Sequence, residues 1–82
     1  MNSVADQVRC FIVDNLGWEG SVDQLTDDLQ LIQAGVLDSL GILTLVEFLE
    51  SRYHITVADS EIVPAHLGSL SEIERFVKSK ST

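Results

Sequence analysis

The feature that most restricts the fold is a tight turn followed by the start of a helix and a long apolar segment at residues 35–52. Asp38 lies where the turn ends. A carboxylate there can accept the unpaired backbone N–H groups of a helix's first turn and lies at the positive end of the helix dipole. Ser39 then becomes the first helical residue, and a helix N-terminus is a favourable place for a phosphate group. The stretch predicts a helix from Ser39 to about Tyr53 with a hydroxyl at its amino end.

A first helix is predicted over residues 3–16. Its apolar residues recur at the spacing of one buried helical stripe: Val4, Val8, Phe11, Ile12 and Leu16. Ser3 with Asp6 resembles a capping box at the start, and Gly17 is a suitable C-terminal stop.

The segment between these two helices has no sustained period. Its apolar residues nevertheless recur throughout: Trp18, Val22, Leu25, Leu29, Leu31, Ile32, Val36 and Leu37. A structureless loop of this length is unusual in a small domain. We therefore expect its apolar side chains to pin it across the helices, with one short helical turn at residues 28–33.

The last third of the chain predicts a linker and two helices. Residues 53–58 alternate apolar and polar side chains, but an isolated strand would have no partner, so an extended linker is expected. Asp59 is expected to cap a short third helix, Ser60 to Val63, that Pro64 halts, with residues 65–68 as a connector. A second capping box, Ser69 with Glu72, begins a fourth helix that ends near Lys80.

The second helix is expected to bury one side and expose another. At 100° per residue its predicted core face holds Ile42, Val46, Leu49 and Tyr53. Leu40 and Phe48 fall among polar neighbours on the face that carries Ser39. They predict an exposed docking patch, unless the long loop covers them.

Size and charge limit the classes of function. The 82 residues are enough for one domain, 1–82, and the net charge of −8 disfavours nucleic acid and anionic membranes as partners. Partners should present positive patches, although an acidic surface also serves solubility alone. The single Cys10 falls opposite the apolar stripe and is expected to be an exposed thiol, in a cytoplasmic protein. His54, His66 and Cys10 do not have the spacing of a zinc site.

One motif resembles a known family. Residues Gly35-Val36-Leu37-Asp38-Ser39-Leu40 resemble the G-x-x-D-S-L/I attachment motif of acyl and peptidyl carrier proteins. Residues 53–59 resemble the aromatic-x-I/V-x-I/V-x-D segment of that family, and residues 64–67 resemble its P-x-N/H-F/L element. The resemblance covers nearly the whole chain. It implies an all-α fold, a four-helix bundle of carrier-protein type with a long first loop and a short third helix.

The resemblance also implies a function. Ser39 would carry 4′-phosphopantetheine, attached by a phosphopantetheinyl transferase, and the arm would hold acyl or aminoacyl intermediates as thioesters. Such a protein is not an enzyme. Its partners would be that transferase, an enzyme that loads the cargo, and downstream synthases or transferases, and the chain is expected to be a monomer. Asp38 would orient the site and help to recruit a basic transferase, and Leu40 would fill an apolar pocket on partners. The residues expected to vary that contact are Thr44, Glu47, Phe48 and Ser51.

The pathway and two rival functions stay open. Carriers of bacterial fatty-acid synthesis usually show several acidic residues along the exposed face of the second helix. Thr44, Phe48 and Ser51 on that face favour polyketide, nonribosomal peptide or aminoacyl-transfer pathways, with fatty-acid synthesis as the alternative. One rival is an unmodified helical interaction module. The other is a hydrolase with Ser39 as nucleophile. It would need a histidine base, and His54 lies about four helical turns away from Ser39, which makes that function a poor fit.

Overall fold

The computed structural model describes residues 3–80, apart from the side chains of Val22 and Pro64. Four α-helices lie in this range: α1 Val4–Asn15, α2 Ser39–Tyr53, α3 Pro64–Leu67 and α4 Leu70–Lys80. Short 3₁₀ turns lie at Val22–Gln24 and Asp59–Glu61. Between residues 3 and 80 there is no strand, so the prediction of an all-α fold is confirmed.

The predicted starts of α1 and α4 and the predicted stop after α1 agree with the structure. Ser3 is the N-cap of α1, and its hydroxyl accepts the backbone N–H of Asp6 at 3.1 Å. Gly17 follows the end of α1 with a φ of 72°, the left-handed conformation that glycine adopts at little cost. At α4 the hydroxyl of Ser69 accepts the N–H of Glu72 at 3.3 Å. These contacts stabilise each helix from within its own first or last turn.

The long loop between α1 and α2 is pinned by apolar side chains, as predicted. Leu25, Leu31 and Leu37 are almost completely buried. The predicted helical turn at residues 28–33 lies instead at residues 31–35, where the N–H of Ala34 donates to the carbonyl of Gln30 at 2.8 Å. The 3₁₀ turn Val22–Gln24 was not predicted, and the packing expected of the Val22 side chain lies outside the described residues.

Hydrogen bonds to α1 and α4 also hold the loop. Arg9 of α1 donates through Nε to the carbonyl of Leu25 at 2.7 Å and forms an ion pair with Asp27. The carbonyl of Asp27 accepts the N–H of Ser71 at 3.0 Å. The N–H of Leu31 donates to the carbonyl of Gly68 at 2.7 Å. The loop is therefore tied to α1, to the first turn of α4 and to the connector between α3 and α4.

The third helix differs from its prediction. Residues 59–61 form only a 3₁₀ turn, and α3 begins at Pro64, where the predicted helix was expected to end. Proline has no N–H and a φ already suited to a helix, so the first helical position accepts it readily. The residues expected to be a connector are helical through Leu67.

The apolar side chains come together in one cluster. Its members come from the long helices, the loop, α3 and residues 55–57, which follow α2. Ile55 and Val57 are buried while Thr56 between them is exposed, so the alternation serves the core without a strand. The N–H of Val57 donates to Glu50 at 2.9 Å, which supplies one of the bonds that a strand partner would have made. In the described part of the chain, no helix is long and apolar enough to cross a membrane.

Candidate functional site

The amino end of α2 has the geometry that the sequence predicts. Asp38 is the N-cap, with extended backbone, and its Oδ1 accepts the N–H of Gly41 at 2.7 Å. The carbonyl of Asp38 accepts the N–H of Ile42 at 2.8 Å, which begins the helical ladder. Ser39 is the first residue of α2, and its side chain is exposed. Helical geometry leaves the N–H groups of Ser39 and Leu40 without an acceptor inside the helix.

Close packing beneath this turn holds it in place. Gly41 is buried, and a Cβ at this position would lie 3.2 Å from Asp38 Oδ1 and 3.6 Å from a methyl group of Leu37. The N–H groups of Val36 and Leu37 both donate to the carbonyl of Leu31, at 2.9 and 3.1 Å. The buried side chain of Leu37 anchors the chain just before Asp38, and the hydrogen bond from Gly41 holds the Asp38 carboxylate itself.

The exposed face of α2 next to Ser39 is partly apolar. Leu40 is 74% exposed, and Leu43, which sequence reasoning did not single out, is 52% exposed. Helical spacing was the signal for Leu43, since position 43 lies one turn after position 39 on the same face. Thr44, Glu47 and Ser51 are also exposed. Four of the five residues predicted to contact partners are therefore accessible.

Phe48 corrects the predicted docking patch. Its ring stacks on Phe11 of α1, with centroids 4.3 Å apart and planes 21° apart, and its side chain is partly buried. The long loop, which was the alternative cover, does not make this contact. An aromatic residue on the flank of α2 therefore serves the α1–α2 packing as well as the surface.

The buried face of α2 is also rotated from its prediction. Leu45 and Gly41 are buried with Val46 and Leu49, whereas Ile42 is only partly buried. Tyr53 is partly buried too, and its hydroxyl donates to Gln7. The difference arises because Leu37 of the loop and Leu16, the C-cap of α1, lie against the Gly41 side of α2. A helical wheel built from α2 alone cannot include those neighbours.

A small apolar cavity lies beside the first turns of α2. Its volume is about 180 Å³. Four parts of the chain line it, through Ile32, Ile42, Ile62, Val63 and Leu67. Sequence reasoning did not find this cavity, because its lining residues are far apart in the chain.

The segment that forms one wall of this cavity is anchored to α4. Glu61 pairs with Lys80 at 2.7 Å and accepts the N–H of Ala58 at 2.9 Å. The hydrogen bond from Lys80, followed by the one from Ala58, holds the pKa of Glu61 below its ordinary value. His66, which was expected in a surface loop or beside a bound arm, stacks on Phe76 at 4.8 Å and does not line the cavity.

Other chemistry has little support in the geometry. His54 caps the far end of α2, fifteen residues from Ser39 and thus about 22 Å along the helix axis. Cys10 is exposed, as predicted. Within residues 3–80, no three His, Cys, Asp or Glu side chains are grouped so as to hold a metal ion.

Comparison with known proteins identifies the family. The chain is 34% identical over 77 residues to an acyl carrier protein of Akkermansia muciniphila, a match that covers 94% of this chain and 91% of that protein. It is 44% identical to a D-alanyl carrier protein of Streptococcus suis and 46% identical to one of Streptococcus thermophilus, each over 50 residues and 61% of both chains. No protein-family model matches the chain. The chain belongs to the acyl carrier protein family.

Proposed function

We propose that this protein is a carrier of acyl or aminoacyl groups, modified on Ser39 with 4′-phosphopantetheine. The observation that carries the proposal is the exposed hydroxyl of Ser39 at the capped start of α2, in a chain of this family. In this proposal the four helices α1–α4 form a bundle of carrier-protein type. The protein itself catalyses no reaction in this scheme.

The residues around Ser39 fit a phosphate ester. The side chain is accessible, so a modifying enzyme can reach it without unfolding α2. Free backbone N–H groups and the positive end of the helix dipole favour an anion at this point. The carboxylate of Asp38 is engaged by Gly41, which keeps the turn helical and holds Ser39 in position.

The attachment is a group transfer with a simple balance. Ser39 Oγ attacks the phosphorus of coenzyme A that bears the pantetheine arm, and a new O–P bond forms. The pyrophosphate bond of coenzyme A breaks, and adenosine 3′,5′-bisphosphate leaves with the electron pair. The hydroxyl proton passes to a base of the transferase, since His54 lies at the opposite end of α2 from Ser39.

When bound, the group supplies a terminal thiol that holds the cargo as a thioester. This chain then contributes position and recognition. Tethering keeps a substrate at a high effective concentration for each enzyme that docks on the carrier. Asp38 and Leu40 are proposed to guide that docking, with Thr44, Glu47, Phe48 and Ser51 varying the contact. The proposed partners are the transferase, a loading enzyme and downstream synthases or transferases.

The proposed pathway is polyketide, nonribosomal peptide or aminoacyl-transfer biosynthesis, and fatty-acid synthesis is the alternative. Thr44 and Ser51 stand on an exposed α2 face that keeps Glu47 as its exposed carboxylate. The D-alanyl carrier relatives support an aminoacyl cargo. In contrast, the cavity beside α2 has only apolar lining residues, which favours a hydrocarbon chain over a charged aminoacyl group.

One experiment tests the modification. The purified chain is incubated with coenzyme A and a broad-specificity phosphopantetheinyl transferase, and its intact mass is measured. We expect the gain of one phosphopantetheinyl group by the wild type and none by Ser39→Ala. Ser71→Ala is the matched control, because Ser71 is also exposed in the first turn of a helix, α4.

The result also separates the rival functions. An unmodified interaction module would keep its mass in the presence of an active transferase, which would refute the proposal. A hydrolase would cleave a chromogenic ester and lose that activity in Ser39→Ala. Modification of Ser39→Ala to the same extent as the wild type would show that another hydroxyl is the site.

A further inference from the structure

A groove runs between α1 and α2 on both sides of the Phe11–Phe48 stack. We call it the α1–α2 groove; it consists of two open cavities of about 580 and 280 Å³, both lined by Phe11, Phe48 and Arg52. Thr44, Glu47 and Ser51 of α2 line the larger cavity, and Asp14 of α1 lines the smaller one. The groove is therefore continuous with the exposed face of α2 that begins at Ser39.

The floor of this groove is already ordered. The two aromatic rings stack at 4.3 Å. At one end, Arg52 donates to Oε1 of Gln7 at 3.1 Å, and Tyr53 donates to the same oxygen. A partner that packs against this floor has few side chains to immobilise, which favours binding.

The negative and positive side chains of the groove lie toward opposite ends of it. Gln7 contacts Tyr53 and Phe11 contacts Phe48, so α1 and α2 run antiparallel and Asp14 lies toward the end of the groove nearer to Ser39. Asp14 and Glu47 are exposed, and neither has an ion-pair partner in the part of the chain that the structure describes. Arg52 lies toward the opposite end. A partner that fits would place cations near Asp14 and Glu47.

The phosphopantetheinyl transferase is a partner that would place cations near Ser39. Its active site must hold the phosphates of coenzyme A and must lie against Ser39, so its surface there is basic. A typical interface buries about 800 Å² on each partner, a disc of about 16 Å radius. Positions 44 to 51 lie about 7 to 18 Å along the axis of α2 from position 39. The groove therefore begins well inside that footprint.

We propose that the α1–α2 groove is part of the docking surface for the phosphopantetheinyl transferase, with Asp14 of α1 as a specific contact. The inference rests on the proposed function, because it needs Ser39 to be the modified residue. In this arrangement the transferase sets an apolar side chain against the exposed part of Phe48 and a cation beside Asp14 and Glu47.

The test compares two charge reversals that change the net charge equally. Asp14→Lys alters the groove, and Asp28→Lys alters an exposed loop position that lines neither cavity. Steady-state kinetics are measured with coenzyme A and the broad-specificity transferase. We expect Asp14→Lys to raise the KM for the carrier about three- to tenfold with kcat unchanged, and Asp28→Lys to raise it less than about twofold. The difference between the variants should shrink as salt is added.

Each outcome decides the question. Equal KM values for the two reversals would mean that only long-range charge matters, and would overturn the groove as a docking surface. Asp14→Asn, which keeps the size of the side chain, is measured in parallel and should raise KM by a smaller factor; if Asp14→Lys melts early, this variant alone decides. A wild-type chain that gains no mass would refute the proposed function instead, so the two failures are distinguishable.

Discussion

Replacement of Asp38 tests whether the cap at the start of α2 holds Ser39 in place. Asp38→Ala removes the acceptor that lies 2.7 Å from the N–H of Gly41, and Asp38→Asn keeps an oxygen there but removes the charge. Loss of an N-cap costs about 0.5–2 kcal/mol. An anion near a helix N-terminus contributes about 0.3–1 kcal/mol through the dipole. Asp38→Ala should therefore destabilise the protein by about 1–2 kcal/mol and Asp38→Asn by about 0.5 kcal/mol.

These energies translate into measurable melting temperatures. For a domain of this size, 1 kcal/mol shifts Tm by about 4–8 °C. Thermal melts followed by circular dichroism should show a decrease of about 4–16 °C for Asp38→Ala and about 2–4 °C for Asp38→Asn. Because Leu45, Val46 and Leu49 bury the middle of α2, only its first turn should fray. Hydrogen exchange should accelerate at Gly41 and Ile42 and remain slow at Leu49.

Modification by the transferase completes this test. If the cap matters through geometry, Asp38→Ala should be modified more slowly than Asp38→Asn. If the charge recruits the enzyme, both variants should be slowed alike. An Asp38→Ala protein with the wild-type Tm and the wild-type exchange rate at Gly41 would refute the reasoning.

Two further predictions concern side chains on the surface of α2 and the dependence of stability on acidic pH. Leu40→Ala should leave the free energy of unfolding within about 0.5 kcal/mol of the wild type, because Leu40 is 74% exposed, whereas Phe48→Ala should lower it by about 1–3 kcal/mol in urea unfolding. Equal losses for the two would contradict the stack on Phe11. A hydrogen bond from the N–H of Ala5 lowers the pKa of Glu74 below its ordinary 4.5. The ionised Glu74 carboxylate therefore stabilises the folded protein above pH 4.5, and this stabilisation is lost as the pH falls through the pKa of Glu74 in the folded state. The stability difference between wild type and Glu74→Gln should accordingly be larger at pH 7 than at about pH 3, and a difference that grows on acidification would exclude this origin.

The sequence was sufficient for those features that depend on neighbours within one helical turn. The starts of α1, α2 and α4 were predicted at Ser3, Asp38 and Ser69, because a cap and the N–H that it satisfies are three residues apart. The exposure of Ser39 follows from the same local geometry. The family resemblance also depended on this motif, and the match over 94% of the chain supports it.

Tertiary packing decided which surface each helix buries. A helical wheel of α2 alone predicts that Phe48 is exposed. In the structure Phe11, which lies 37 residues earlier in the chain, covers part of the Phe48 ring. The ring of Pro64 predicts the end of a helix. In the structure Pro64 is instead the first residue of α3, a position at which proline is favourable. The cavity beside α2 and the α1–α2 groove exist only because distant segments meet. Burial depends on what packs against a residue, and that information lies in contacts between segments far apart in the sequence.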